Sequence, residues 1–192
     1  MNPTAHRQAA IAVKRAARAL RRLNESDEPE DLEEAWDHFL HESSRVYAKL
    51  RAAARGHPQS WKWFGKRLDE RESDPLLLYT HHARNSDMHR YEEVATTKNP
   101  MVMRVGGSGM ILHIPTGGAT PYWEKVAPDS SLEIENLGVH LVAEAVIDKG
   151  KEYPVPTTHL GQEIQSQNAD AIAELALSYL EEMVRDAASL IR

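Results

Sequence analysis

The chain has 192 residues, of which 41% are hydrophobic and 27% are charged, and these proportions are those of an ordinary globular protein. It has no cysteine, which excludes disulfides, thiolate zinc sites and a cysteine nucleophile. The formal net charge of −6 hides two opposite segments, because residues 7–22 hold six Lys and Arg residues and no acid, whereas residues 25–44 hold nine acids and no Lys or Arg. We therefore expect one folded domain, residues 1–192, whose net charge says little about its partners.

The N-terminal residues lack the uninterrupted apolar core of a signal peptide, and no run of eighteen apolar residues occurs anywhere. We therefore expect a cytoplasmic location and no membrane partner.

The first half of the chain predicts three helices. Residues 5–23 form an amphipathic helix, because apolar residues recur at steps of three and four: Ala9, Val13, Ala16, Leu20 and Leu23. A long helix follows from about Pro29, capped by Asp27 and ended by Gly56, and "PQSWKWFGKRLDERES" is a shorter one. The basic first helix could contact a phosphate backbone or an anionic membrane, or it could pair with the acidic helix that follows it; we favour the second interpretation.

A fourth helix is predicted from the stretch "SDPLLLY". Asp74 can cap free backbone N–H groups, and Pro75 suits the first helical position, where its missing N–H costs nothing. Residues 81–93 should therefore be helical.

The interval 97–163 has a different composition, since it holds eight of the ten glycines and six of the ten prolines. Five short stretches in it predict strands, with "DKG" as the turn between the last two: "MVMRV", "MILHI", "LEIENL", "HLVAEAVI" and "EYPVP". A turn between strands also explains "GGSG" better than a phosphate-binding loop does. Helical periodicity returns in residues 166–192. The predicted fold is mainly α: an up-and-down helical bundle of residues 5–96 and 166–192, with a small antiparallel β insert at 97–163 between the fourth and last helices.

The stretch "HHARNSDMHRYEE" (81–93) places potentially reactive side chains along the fourth helix. His82, Asn85 and His89 lie three and four residues apart and share one polar stripe, and the long side chain of Arg84 can reach a cleft beside it. An imidazole can move a proton near neutral pH, and a guanidinium can hold a phosphate through two N–H bonds. These groups suit the metal-free cleavage of RNA by 2′-hydroxyl attack, which needs one group to take a proton and another to give one, whereas each chain offers a single credible histidine, His89. A homodimer with the site at its interface would supply the second.

The segment "ARNSDMH" resembles the motif of the HEPN superfamily, in which an Arg, a polar residue that is often Asn, and a His stand near the start of a helix in an up-and-down bundle. The resemblance implies that Arg84, Asn85 and His89 are catalytic, that RNA is the substrate and that the protein is a homodimer. We also expect His82 and Arg90 to contact the substrate. Members of the superfamily are commonly metal-independent endoribonucleases in toxin–antitoxin, phage-defence and RNA-processing systems, so a protein antitoxin or regulator is a further expected partner. The longer stretch "DPLLLYTHHARNSDMH" with "PVPTTHLGQEI" is similar to a group of uncharacterised bacterial proteins.

Several alternatives stay open at this point. The whole chain could be a non-catalytic helical dimer that binds a protein or a nucleic acid through its β insert, in which case Arg84 should be buried in an ion pair. Trp61, Trp63 and Phe64 are core or dimer contacts, or a stacking platform for bases. His159 belongs to a structural turn or lines a pocket. Adjacent histidines on a helix point about 100° apart, so His81 and His82 are a poor metal pair, and we expect no metal and no cofactor.

Overall fold

The computed structural model describes residues 1–89, 95–98, 101–105, 110–114, 120–125, 133–136 and 139–191. Five α-helices lie in this described part, which is mainly helical: α1 (Pro3–Glu25), α2 (Pro29–Ala54), α3 (Pro58–Ser73), α4 (Pro75–His89) and α5 (Ala169–Ala188). The predicted succession of four helices, a β-rich insert and a last helix is confirmed.

The core is built from the helical stripes that the sequence indicates. All five predicted residues of the first stripe are buried, and so are the large side chains of α2, with Trp36 1% and Phe39 0% exposed. The Trp36 and Phe39 rings stack at 6.0 Å between centroids. The stripe of α5 from Ile172 to Ala187 completes the same core.

The opposite charges of α1 and α2 pair in part, as the favoured interpretation predicts. Arg22 contacts Glu34 at 2.9 Å and Asp31 at 3.4 Å, and Arg15 contacts Glu42 at 3.7 Å. These are exposed or half-exposed pairs, which contribute little to stability, so they orient the two helices more than they hold them together.

One predicted cap is wrong and another is confirmed. The N-cap of α2 is Glu28, whose side chain makes no capping bond, so Asp27 is not the cap; Pro29 occupies the first turn and needs no partner for its nitrogen. At α4, Asp74 Oδ1 accepts the backbone N–H of Leu77 at 2.9 Å, which is the predicted capping bond.

The β insert consists of short antiparallel pairs. A four-stranded sheet has the order β4 (Tyr122–Lys125), β3 (Met110–Ile114), β2 (Met101–Val105) and β5 (Glu133–Asn136). Three two-stranded ladders accompany it: β1 (Ala95–Lys98) with β6 (His140–Ala143), β7 (Val146–Asp148) with β8 (Lys151–Tyr153), and β9 (Thr158–His159) with β10 (Gln162–Glu163).

The structure differs from the predicted insert in its details. "HLVAEAVI" is two strands rather than one, since the chain leaves β6 at Ala143 and enters β7 at Val146. β1 begins at residue 95, two positions before the predicted boundary of the insert, and β4, β9 and β10 were not predicted. The "DKG" turn is confirmed, with Lys149 at φ 53° and Gly150 at φ 79°, whereas "GGSG" lies outside the described residues. Within the described part of the chain, no helix is both long and apolar enough to cross a membrane.

Candidate functional site

Asp74 fixes the start of α4 against the β9–β10 turn. Besides capping Leu77, its buried carboxylate accepts the Nδ1–H of His159 at 3.0 Å and the backbone N–H of Leu160 at 2.6 Å. His159 is 9% exposed and sits edge-on to the Tyr179 ring, 6.0 Å between centroids. His159 is therefore a structural contact of the turn.

The β7–β8 hairpin packs along the other end of α4. Ser86 Oγ donates to the carbonyl of Ile147 at 3.0 Å, and the Tyr79 hydroxyl donates to the carbonyl of Glu144 at 2.8 Å. Two polar side chains of one helix face are thus bonded to the backbone of the insert, and they fix the position of this hairpin along α4.

Asp148, at the end of β7, accepts hydrogen bonds from two residues of the polar stripe of α4, His82 and Asn85. Its Oδ2 atom accepts the Nδ1–H of His82 at 2.8 Å and the Nδ2–H of Asn85 at 3.2 Å, and the residue is 4% exposed. Burial alone would raise the pKa of this carboxyl, but the hydrogen bonds from His82 and Asn85 together lower it, so it is ionised at neutral pH. Because an ionised carboxylate only accepts, Nδ1 of His82 carries a proton and donates it to Asp148.

Arg84 is connected to these residues through Asn85. We call the four residues together the Asp148 network: His82, Arg84, Asn85 and Asp148. The Nη1–H of Arg84 donates to Asn85 Oδ1 at 3.3 Å, so one amide links the guanidinium to the carboxylate. Within the described residues Arg84 makes no ion pair, and its buried Nε has no hydrogen-bond partner. A guanidinium held in place but not neutralised can accept an anion.

An aromatic ring covers one face of the His82 imidazole. The Tyr153 ring stacks on it at 3.6 Å between centroids with 12° between planes, and Lys151 Nζ lies 4.9 Å from the centre of that Tyr153 ring. The side chain of His82 is nonetheless 17% exposed, and its Nε2 has no hydrogen-bond partner in the described part of the chain. His82 therefore has a fixed orientation and a free nitrogen.

His81 is chemically different from its neighbour. Desolvation by burial, followed by the positive charge of Arg71, lowers the pKa of His81 to about 4. It is uncharged at neutral pH and is a poor proton donor there.

The structure brings three of the five predicted site residues together. His82, Arg84 and Asn85 form one hydrogen-bonded group on α4 with Asp148. The backbone of His89 completes the last turn of the same helix, but its side chain, like the whole of Arg90, lies outside the described residues. Burial of Arg84 in an ion pair, which the binding-module interpretation predicts, is not found among the described residues.

Sequence reasoning missed Asp148 and Tyr153. The sequence marks Asp148 only as part of the "DKG" turn, and nothing local marks it as the partner of a histidine 66 residues earlier. The available signal was weak: Asp148 ends a strand whose preceding residues alternate, so its side chain shares the inward face with Val146.

Among the residues that the structure describes, no group of three or more His, Cys, Asp or Glu residues could hold a metal ion. Comparison of this chain with protein-family models, with curated proteins and with solved structures finds no match.

Proposed function

We propose that the protein is a metal-independent endoribonuclease of HEPN type, with Arg84, Asn85 and His89 as its catalytic residues. The observation that supports this most strongly is the state of Arg84: its guanidinium is tied to Asn85 and is not neutralised by any described carboxylate. A phosphate is the natural counter-charge for such a group.

The reaction needs two proton transfers and one cation. A base removes the proton of the ribose 2′-hydroxyl as its oxygen bonds to phosphorus, and an acid protonates the 5′-oxygen as the bond from phosphorus to that oxygen breaks. Arg84 stabilises the charge that develops on the phosphoryl oxygens between these events. The products are a 2′,3′-cyclic phosphate and a 5′-hydroxyl, and no metal takes part.

His89 supplies one of the two proton-transfer groups in this proposal. A two-fold symmetric dimer would place His89 opposite its own copy, with two Arg84 side chains beside the scissile phosphate. His82 and Arg90 contact the substrate. A role in a toxin–antitoxin or phage-defence system, with a protein antitoxin as the neutralising partner, belongs to the same proposal.

The test is incubation of the pure protein with total RNA in EDTA. We expect the wild type to cleave and Arg84→Ala to lose cleavage while keeping its fold, because among the described residues Arg84 makes only one hydrogen bond, of 3.3 Å. Arg45→Ala is the matched control: it removes an exposed arginine of α2 whose ion-pair partner is Glu42 on the same helix. A wild type that leaves RNA intact would refute the proposal, and so would an Arg84→Ala variant that cleaves normally.

A second candidate function is favoured by the edge of the four-stranded sheet. Tyr122 and Trp123 lie on the edge strand β4 and are 57% and 52% exposed, and exposed aromatic side chains on a strand edge suit a non-catalytic binding module. This function predicts that the wild type binds oligonucleotides without cleaving them and that Tyr122→Ala/Trp123→Ala abolishes the binding. Unchanged affinity in that double variant would exclude nucleic-acid binding through β4.

A further inference from the structure

A groove opens on the surface where α2 turns into α3. It encloses ≈ 950 Å³ and is lined by eight residues, none of them acidic: Ala48, Arg51, Ala52, Arg55, Gly56, His57, Pro58 and Trp61. Gly56, at φ 80°, lets the chain leave α2 and turn sharply into α3. The groove is remote in sequence from the Asp148 network.

Arg51 in the last turn of α2 and Arg55 at its C-cap give the groove its charge. Arg51 and Arg55 are both exposed, and within the described residues neither side chain makes a salt bridge or a hydrogen bond. The helix C-terminus favours a cation, but two like charges four residues apart on a helix repel each other. An anion between them removes that repulsion, and it also satisfies their N–H groups.

Trp61 gives the groove an aromatic wall. Its side chain is 47% exposed, whereas Phe64 is 1% exposed and Trp63 packs against the core. The Trp61 ring lies 6.2 Å from the Phe64 ring, which supports it from inside. Of the three aromatic residues in "WKWF", Phe64 and Trp63 are thus core contacts, and Trp61 presents an indole to the groove.

We propose that this groove binds single-stranded RNA, with a base stacked on Trp61 and adjacent phosphates held by Arg51 and Arg55. Stacking on an exposed indole combined with unpaired cations is the chemistry of sequence-tolerant single-strand binding. The Cβ atoms of residues four apart on a helix are about 5–6 Å apart, so the two guanidinium groups can serve neighbouring phosphates. The choice of RNA rather than DNA rests on the proposed function; the groove would hold the substrate strand outside the cleavage site.

The experiment measures binding separately from cleavage. The probe is a fluorescein-labelled, fully 2′-O-methylated oligouridylate about 12 nucleotides long, which cannot be cut by 2′-hydroxyl attack. Its affinity for the full chain is measured by fluorescence anisotropy in EDTA over a series of salt concentrations. A deoxyribose oligomer of the same length reports on the preference for RNA.

Trp61→Ala should weaken binding between about 5-fold and about 150-fold, the range expected for one stacked base. Trp61→Phe should restore part of the affinity. The double variant Arg51→Gln/Arg55→Gln should make the fall of log affinity with log salt concentration less steep. The magnitude of the slope should decrease by about 1.4, which corresponds to two phosphate contacts. The matched control, Arg45→Gln on α2, should bind as the wild type does, and Trp123→Ala is the competing test of the β4 surface.

Equal affinity of the wild type and the Trp61 and Arg51/Arg55 variants would overturn the inference. Loss of binding in Trp123→Ala alone would move the site to the β insert, and dissociation of a dimer by Trp61→Ala without any change in oligomer binding would make the groove a contact with a second copy. Each of these results also rejects the groove as an RNA site. The proposed nuclease activity is tested separately. If RNA binds the groove but stays uncut, only the nuclease proposal is refuted. If the groove variants bind RNA with unchanged affinity and cut it as well as the wild type does, only the groove proposal is refuted.

Discussion

Replacing Asp148 with asparagine keeps the size of a side chain that is 4% exposed and removes its charge. The carboxylate accepts two hydrogen bonds, from His82 at 2.8 Å and from Asn85 at 3.2 Å. A bond to a charged group contributes about 1 kcal/mol more than a neutral one, so about 2 kcal/mol is lost from the pair. The substitution also removes the free-energy cost of burying a charge, which offsets part of this loss. We therefore expect the free energy of unfolding of Asp148→Asn to be about 1–2 kcal/mol lower than that of the wild type at neutral pH.

The assay is urea unfolding of the wild type, Asp148→Asn and Asp69→Asn. Asp69 is exposed and supplies the same change of charge outside the network, so Asp69→Asn should stay within about 0.5 kcal/mol of the wild type. The ¹⁵N NMR signals of His82 give a second readout, because a carboxylate only accepts and so fixes the proton on Nδ1, whereas an amide can also present its N–H₂ group. Equal unfolding free energies of the two variants, with an unchanged His82 tautomer, would refute the network as described.

The stability of the wild type and that of Asp148→Asn should also respond differently to acidic pH. The folded state lowers the pKa of Asp148 below its ordinary value of 3.8, so the stabilisation is complete above that value and is lost as the pH falls through the folded pKa. The stability advantage of the wild type over Asp148→Asn should therefore shrink below pH 3.8. An advantage that grew on acidification in that range would contradict an ionised Asp148.

Three further outcomes are expected. Asp74→Ala should destabilise the chain by about 3 kcal/mol in urea unfolding, because it removes a helix cap and leaves the N–H groups of His159 and Leu160 without an acceptor; Asp69→Ala should be neutral. Arg84→Ala should slow RNA cleavage by about 100- to 1000-fold with an unchanged melting temperature, since Arg84 acts on charge that develops during the reaction. Sedimentation velocity should show a homodimer, and a monomer that still cleaves RNA would require both proton-transfer groups to come from one chain.

The helices could be predicted because their evidence is local and repeated. Apolar residues spaced by three and four positions, such as Ala9, Val13 and Ala16, lie on a common face when the segment is an α-helix. Asp74 and Pro75 mark a helix start with two separate physical signals. The exact cap of α2 could not be predicted, because Asp27 and Glu28 both precede Pro29 and the chain geometry, not side-chain chemistry, decides between them.

The site could be predicted only in part because its partners come from distant segments. The spacing of His82 and Asn85 indicates a common face, and the structure confirms it by bonding both to one oxygen. That the oxygen belongs to Asp148 depends on where the β7–β8 hairpin lies along α4, which is set by contacts such as that of Ser86 with Ile147. Short strands of three residues carry too little pattern to fix such a position from sequence.

The most direct test of the proposed function is the chemistry of the cut ends. Wild-type protein and His89→Ala are incubated with a defined RNA in EDTA, and the products are analysed by mass spectrometry for their termini. The proposal predicts 2′,3′-cyclic phosphate and 5′-hydroxyl ends from the wild type and intact RNA with His89→Ala. Intact RNA with the wild type, cleavage that stops in EDTA, or 5′-phosphate ends would contradict it.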